Sequence, residues 1–229
     1  MSASPGTTSH TATVDRYLET IYYISAEGDV VRPSYLSSWL GVSAPTVSEA
    51  LRRLERDGWI TTAPDRSVTL TRDGDAIARA IVRRHRILER WLTDVLGFDW
   101  AAADVEAERI AGSISDEVVA RIDESMGAPV TCPHGNPIPG RDPHHGELRS
   151  LAEIHVGESA RVRRVSEVAE HEGQPLLVQL AESGVAEGST VTVVRRDDDG
   201  RVEITVGATL VELSARAAGS IWTSPAESA

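Results

Sequence analysis

Residues 34–58 constrain the fold of this chain more than any other stretch. YLSSWL follows Ser34, Gly41 interrupts it, and SAPTVSEALRRLERDG then runs from Ser43 to Gly58. A serine hydroxyl at a helix start accepts a first-turn amide, proline is tolerated in the first turn, and glycine ends helices by adopting left-handed backbone. The segment therefore predicts two helices, capped by Ser34 and Ser43, on either side of a tight glycine turn. In the second helix Val47, Ala50, Leu51 and Leu54 share one face, and Thr46, Ser48, Glu49, Arg52, Arg53 and Arg56 lie off it. A polar-faced helix after a glycine turn is the helix-turn-helix pattern, whose second helix enters the major groove of DNA.

The next residues, WITTAPDRSVTLTRDG, alternate as two short strands with Asp65 and Arg66 at the tip. This is a wing, whose arginine reaches phosphate or the minor groove. Upstream, a polar leader expected to be disordered (1–13) precedes a helix on which Val14, Leu18, Ile21 and Tyr22 recur, closed by Gly28. Downstream, one long helix is predicted from Asp73 to about Leu96 and another from about Ala101 to Met126. The proline- and glycine-rich GAPVTCPHGNPIPGRDPHHG then marks a domain boundary. Beyond it SARVRRV, STVTVVRR, RVEITV and SIWTS read as strands around one short helix, PLLVQLAESG, predicting a small β-barrel followed by an unstructured tail, SPAESA.

A chain of 229 residues with 41% hydrophobic and 25% charged residues falls among globular proteins and outside the disordered, collagenous and membrane classes. No apolar run is long enough to span a bilayer, the opening MSASPGTTSHTAT lacks signal-peptide features, and a lone Cys132 cannot form an intramolecular disulfide. These features point to a cytoplasmic protein without membrane association. All 23 basic residues are arginine, and they face 35 acidic ones for a net charge of −12. A carboxylate-rich surface suits a high-salt cytoplasm, where self-repulsion is screened; codon bias is the alternative for the missing lysine but does not account for the acid excess. For DNA the local distribution of charge matters more than the sum. Arg52, Arg53, Arg56, Arg66, Arg72, Arg79, Arg83, Arg84, Arg86 and Arg90 precede an acidic stretch from Asp99 to Glu124, so the basic part comes first.

In order and spacing these pieces resemble the diphtheria toxin repressor or iron-dependent regulator family. The resemblance runs from Val14 to about Thr223 through YLETIY, APTVSEALRRLERDGWI, DRS, HRILERWLTDVLG, SDEV and GNPIPG. The C-terminal stretch resembles the SH3-like domain that these proteins share with a ferrous-iron transport accessory protein. The implied fold class is α+β: a winged helix-turn-helix DNA-binding domain (14–73), a helical metal-binding and dimerisation domain (74–146) and a C-terminal SH3-like β-barrel (147–224). The implied function is a metal-responsive transcriptional regulator, a repressor of iron or manganese homeostasis, which binds a palindromic operator in double-stranded DNA as a homodimer when Fe2+ or Mn2+ is present. By motif position Ser43, Pro45, Thr46, Ser48 and Glu49 face the groove, and Arg53, Arg56 and Arg66 touch phosphates. Glu49 departs from the neutral amide common in the family; an acid accepts from cytosine but repels phosphate, so operator preference is expected to differ.

Metal control needs borderline or hard ligands from separate elements. His85 and Glu89 lie four apart on one predicted helix, and Asp104 and Glu108 four apart on the next, so an antiparallel pair could bring all four to one cation. The resemblance assigns His85 and Glu89 to the family's first metal site and puts Asp104 where many members carry histidine. Glu172 and Gln174 are the nearest candidates for ligands from the SH3-like domain. The family's second site is degraded: its dimer-helix pattern reads Glu108, Arg109, Ile110, Ala111, Gly112, and Arg16 occupies the first-helix ligand position, with Asp15 and Glu19 nearby. One occupied site is therefore expected. The alternative is a metal-independent regulator in which Arg16, pairing with Glu108, replaces the activating metal. Cys132, His134, His144 and His145 are zinc-type ligands in a spacing that fits no closed structural pattern. No nucleophile motif, phosphate loop or H-E-x-x-H accompanies His85, Glu89 and Asp104, so an enzyme is not expected.

Overall fold

The computed structural model describes residues 11–167 and 174–226. Two compact units divide between Ile81 and Val82. The leader up to His10, the candidate Glu172 and the last three residues lie outside the described residues.

The first unit opens with α1 (Ala12–Ala26), α2 (Pro33–Leu40) and α3 (Ala44–Arg56). Thr11 caps α1 and Ser43 caps α3, its hydroxyl accepting from Thr46 N at 3.3 Å. At α2 the predicted cap is displaced: Arg32 holds the cap position without a side-chain bond and Pro33 takes the first turn, which leaves Ser34 inside the helix. The pyrrolidine ring presets helical φ and its missing N–H is one that a first turn leaves unpaired anyway. Gly41 ends α2 at φ 63, and its N–H reaches Ser37 O. Leu18, Ile21, Ile24, Leu36, Val47, Leu54, Ile60 and Val68 form the core, each of the larger ones contributing about 1.5–3 kcal/mol by burial. Tyr22, expected on that face, is only half-buried and lies under the Arg79 guanidinium, 5.6 Å from the ring centre.

The wing is the antiparallel pair β1 (Ile60–Thr62) and β2 (Val68–Leu70), in register Ile60↔Leu70. α4 (Arg72–Asp94) follows at once. Its start presses on the backbone before β1: a Cβ on Gly74 would lie 1.9 Å from Trp59 O, so only glycine fits.

The second unit continues α4 and adds α5 (Trp100–Ala111) and α6 (Asp116–Ser125). The single helix expected from Ala101 to Met126 is thus two. Gly112 ends α5, and Ser115 starts α6 by accepting from Val118 N, a serine cap inside a stretch whose apolar periodicity runs through the break. The rest is an antiparallel sheet ordered β3 (Arg149–Ser150), β8 (Ile221–Pro225), β4 (Ser159–Val165), β5 (Thr190–Arg196), β6 (Val202–Val206), β7 (Thr209–Leu213). Register shifts after Val162 and Val193 bend it. The sheet buries Val162, Val191, Val193, Ile204 and Leu213 in one core with α7 (Gln174–Glu182), through Leu177 and Leu180, and α8 (Ala215–Gly219), through Ala217 and Ala218. Of these elements β3, β7 and α8 were not predicted; β7 pairs with β6 through the short Gly207 turn.

Candidate metal centre and DNA-facing surface

Beyond Val82, α4 buries Ile87, Leu88 and Leu92, and with them three ionisable side chains: His85 is 7% exposed, Arg86 4% and Glu89 2%. One helical turn separates His85 from Glu89, and His85 Nε2 lies 3.7 Å from Glu89 Oε1. The small residues Ala103 and Ala107 pack on Leu88 and Leu92 and bring α5 close enough for Asp104 Oδ1 to lie 3.3 Å from the same Nε2. One donor atom from each of His85, Glu89 and Asp104 falls within 4.8 Å of the others. An imidazole with two carboxylates suits a borderline or hard divalent cation such as ferrous iron or manganese, so these residues fit the metal that the family resemblance implies. Glu108 is farther out: its Oε2 is 4.0 Å from His85 Nδ1 and its side chain is mostly exposed.

Glu89 has another neighbour that helical spacing does not reveal. His134, 3% exposed, places Nδ1 3.0 Å from Glu89 Oε1, and Cys132 Sγ lies 3.7 Å from that nitrogen. Burial alone would raise the Glu89 carboxyl, but the His134 and His85 imidazoles outweigh it and hold the group well below the usual carboxylate range. Burial disfavours a charged His134, yet the Glu89 carboxylate prevails and raises its pKa. Burial and the same carboxylate push the Cys132 thiol up.

The loop that carries Cys132 and His134 is buried from Thr131 through Asn136 and again at Ile138, not a solvated connector. Three α4 arginines on neighbouring turns clamp it: Arg83 donates to Pro139 O at 3.1 Å, Arg86 to Pro137 O and Arg90 to Cys132 O at 3.2 Å. From the other side Val165 N donates to His134 O at 2.8 Å, and Asn136 Nδ2 to Val165 O at 2.7 Å. Gly135 is at φ 83 with Arg163 O where a Cβ would sit, so the turn admits only glycine. Arg86 also donates from Nε to Glu167 Oε1 at 3.0 Å, and Arg84 reaches the carbonyls of Ala111 and Ile114. Arg83, Arg84, Arg86 and Arg90, counted with the basic part of the sequence, are therefore engaged inside the second unit.

In the first unit Ser43, Pro45, Thr46, Ser48, Glu49, Arg53 and Arg56 are all exposed along α3. Arg66 is exposed at the wing tip at φ 68, beside an Asp65 that accepts from Ser67 and from Arg32. Arg16 is exposed on α1, and Glu19 is buried, accepting from the Tyr23 hydroxyl at 2.8 Å. The loop histidines do not stay together: His144 is exposed beside Asp142, whereas His134 is interior. Gln174 begins α7.

Residues 10–68 match the family described as iron dependent repressor, N-terminal DNA binding domain. Residues 71–140 match iron dependent repressor, metal binding and dimerisation domain, and residues 149–225 match the FeoA domain. Over 212 residues the chain is 37% identical to the diphtheria toxin repressor of Corynebacterium efficiens, covering 88% of this chain and 90% of that protein. Over 192 residues it is 37% identical to the iron-dependent repressor IdeR of Mycobacterium bovis, covering 79% and 83%. A solved manganese-dependent transcriptional repressor in complex with manganese superposes with a TM-score of 0.78 at 32% identity, covering 93% of this chain and 100% of that one.

Proposed function

The chain belongs to the iron-dependent repressor family, and on that premise we propose that it is a metal-responsive repressor that binds a palindromic operator as a homodimer when ferrous iron or manganese is held by His85, Glu89 and Asp104. The observation that carries this reading is the donor set itself, two buried side chains and a partly buried one from two helices with their donor atoms within 4.8 Å. When bound, the cation supplies the positive charge that holds the α4 and α5 carboxylates together. Glu108 and Glu172 are further ligands in this reading, and one site is occupied rather than two, because Ala111 and Gly112 offer no donor where the second site would need them.

In the first unit Ser43, Pro45, Thr46, Ser48 and Glu49 read the groove while Arg53, Arg56 and Arg66 hold phosphates, a division supported by the exposure of every one of them. A two-fold dimer sets its reading helices about one or more helical turns of DNA apart, which asks for a near-palindrome. Relatives named for iron and manganese dependence favour metal control over a regulator in which Arg16 stands in for the ion. No helix among the described residues is long and apolar enough to cross a membrane; we place the protein in the cytoplasm and assign it no catalysis.

Manganese titration followed by electron paramagnetic resonance tests the assignment. One tight equivalent is expected in the wild type and none in D104N or E89Q; undiminished binding in both variants would contradict it.

A further inference from the structure

The start of α2 and the tip of the wing are joined by an arginine that the DNA contacts above leave unused. Arg32 donates from Nη1 to Asp65 O at 2.8 Å, and its Nη2 lies 3.5 Å from Asp65 Oδ2. The next residue, Arg66, holds its backbone at φ 68, a region that residues with a Cβ rarely adopt. Building on the reading that Arg66 holds a phosphate, we propose that Arg32 is a positioning residue for DNA binding: it fixes the wing tip in the conformation that presents the Arg66 guanidinium, without touching DNA itself.

Three observations carry the proposal. The first is that the wing needs bracing, because two strands of three residues each do not hold a hairpin's shape alone. Its base is braced from both sides: Thr62 N donates to Glu55 Oε1 on α3 at 3.0 Å, and Val68 N to Val31 O at 2.9 Å. The second is that the tip closes on itself, Ser67 donating to Asp65 Oδ1 from N at 3.1 Å and from Oγ at 2.7 Å. Arg32 is what anchors this closed turn to the helices. The third is the atom that Arg32 takes. Asp65 O and Arg66 N belong to one peptide plane, whose N–H donates to Ala63 O at 2.9 Å while its carbonyl accepts from Arg32. With both ends of the plane held, the backbone that leads into the Arg66 side chain has a fixed start. The Arg32 and Asp65 side chains are exposed, so their ion pair contributes little; the weight lies in the charged donor on the carbonyl. Turned toward the wing in this way, the Arg32 fork would have to release Asp65 O to reach a phosphate.

The test is a double-variant cycle on the full-length protein with manganese, read as anisotropy of operator fragments selected from genomic DNA. R32M should weaken binding about fivefold, the weight of one exposed charged contact, and R66A should lower the salt slope by about 1. Adding R32M to R66A should then change affinity by no more than about twofold and leave the slope where R66A put it, because the guanidinium that Arg32 positions is gone. Losses that multiply would overturn the proposal, since an arginine that contacts DNA, or one that merely stabilises the domain, still matters without Arg66. R32M or R66A that binds as the wild type does would overturn it too. R32K keeps the charge without the planar fork; it should follow R32M, and it replaces R32M in the cycle if that variant does not fold. Wild-type protein that binds no operator overturns the repressor reading and this proposal with it, whereas wild-type binding with an additive cycle overturns this proposal alone.

Discussion

His134 Nδ1 lies 3.0 Å from Glu89 Oε1, so a loop imidazole balances the charge of a carboxylate buried on α4. The pair acts as an internal counterion set in metal-free protein, and a cation must displace its proton. Stability and metal affinity should consequently respond to pH in opposite directions.

In chelator, His134 has a folded pKa above its usual 6.5, so its contribution is fully present below pH 6.5 and is lost as pH rises through the raised value. Glu89 has a folded pKa below its usual 4.5, so its contribution is present above pH 4.5 and is lost only as acid approaches the depressed value. The pair stabilises the metal-free protein most between pH 4.5 and 6.5. Manganese affinity instead climbs with pH as the imidazoles deprotonate. Melting temperature in chelator and manganese Kd, measured across about pH 5–8, should diverge; parallel trends would show that the pair is not coupled to the metal.

Arg86 and Glu167 form an ion pair in which both partners are buried. R86M leaves Glu167 uncompensated in the interior and should cost about 3–5 kcal/mol, whereas R86M/E167L should recover much of that loss. Urea denaturation in chelator measures both; equal losses in the single and double variants would show that the pair's electrostatics are not what the single change removes.

R66A removes an exposed guanidinium from the wing tip. It should weaken binding about uniformly across DNA sequences and lower the salt slope by about 1. E49Q should instead change base preference, by about 1–3 kcal/mol at one position. Competition binding at several salt concentrations separates the two effects, and a sequence-specific loss in R66A would place that arginine against bases.

The helix-turn-helix was legible because its signals are local: Ser43, Pro45, Gly41 and Gly58 punctuate a clear apolar period. His85 with Glu89 was legible for the same reason, being one turn apart. Ser34 misled because Pro33 competes for the same helix start, and the break before α6 was hidden by apolar residues that keep their period across it. Cys132 and His134 reach Glu89 only through the folded clamp of Arg83, Arg86 and Arg90 on the loop. That contact is long-range in sequence and has no periodic signature, and the arginines that make it looked like DNA-binding charge.

Metal control of DNA binding is settled by anisotropy of operator fragments, selected from genomic DNA in high salt, with protein in chelator and after ferrous iron or manganese is restored. Binding should appear only with metal and be lost in H85A and E89Q. Full operator affinity in chelator, unchanged by either substitution, would contradict metal control through His85, Glu89 and Asp104.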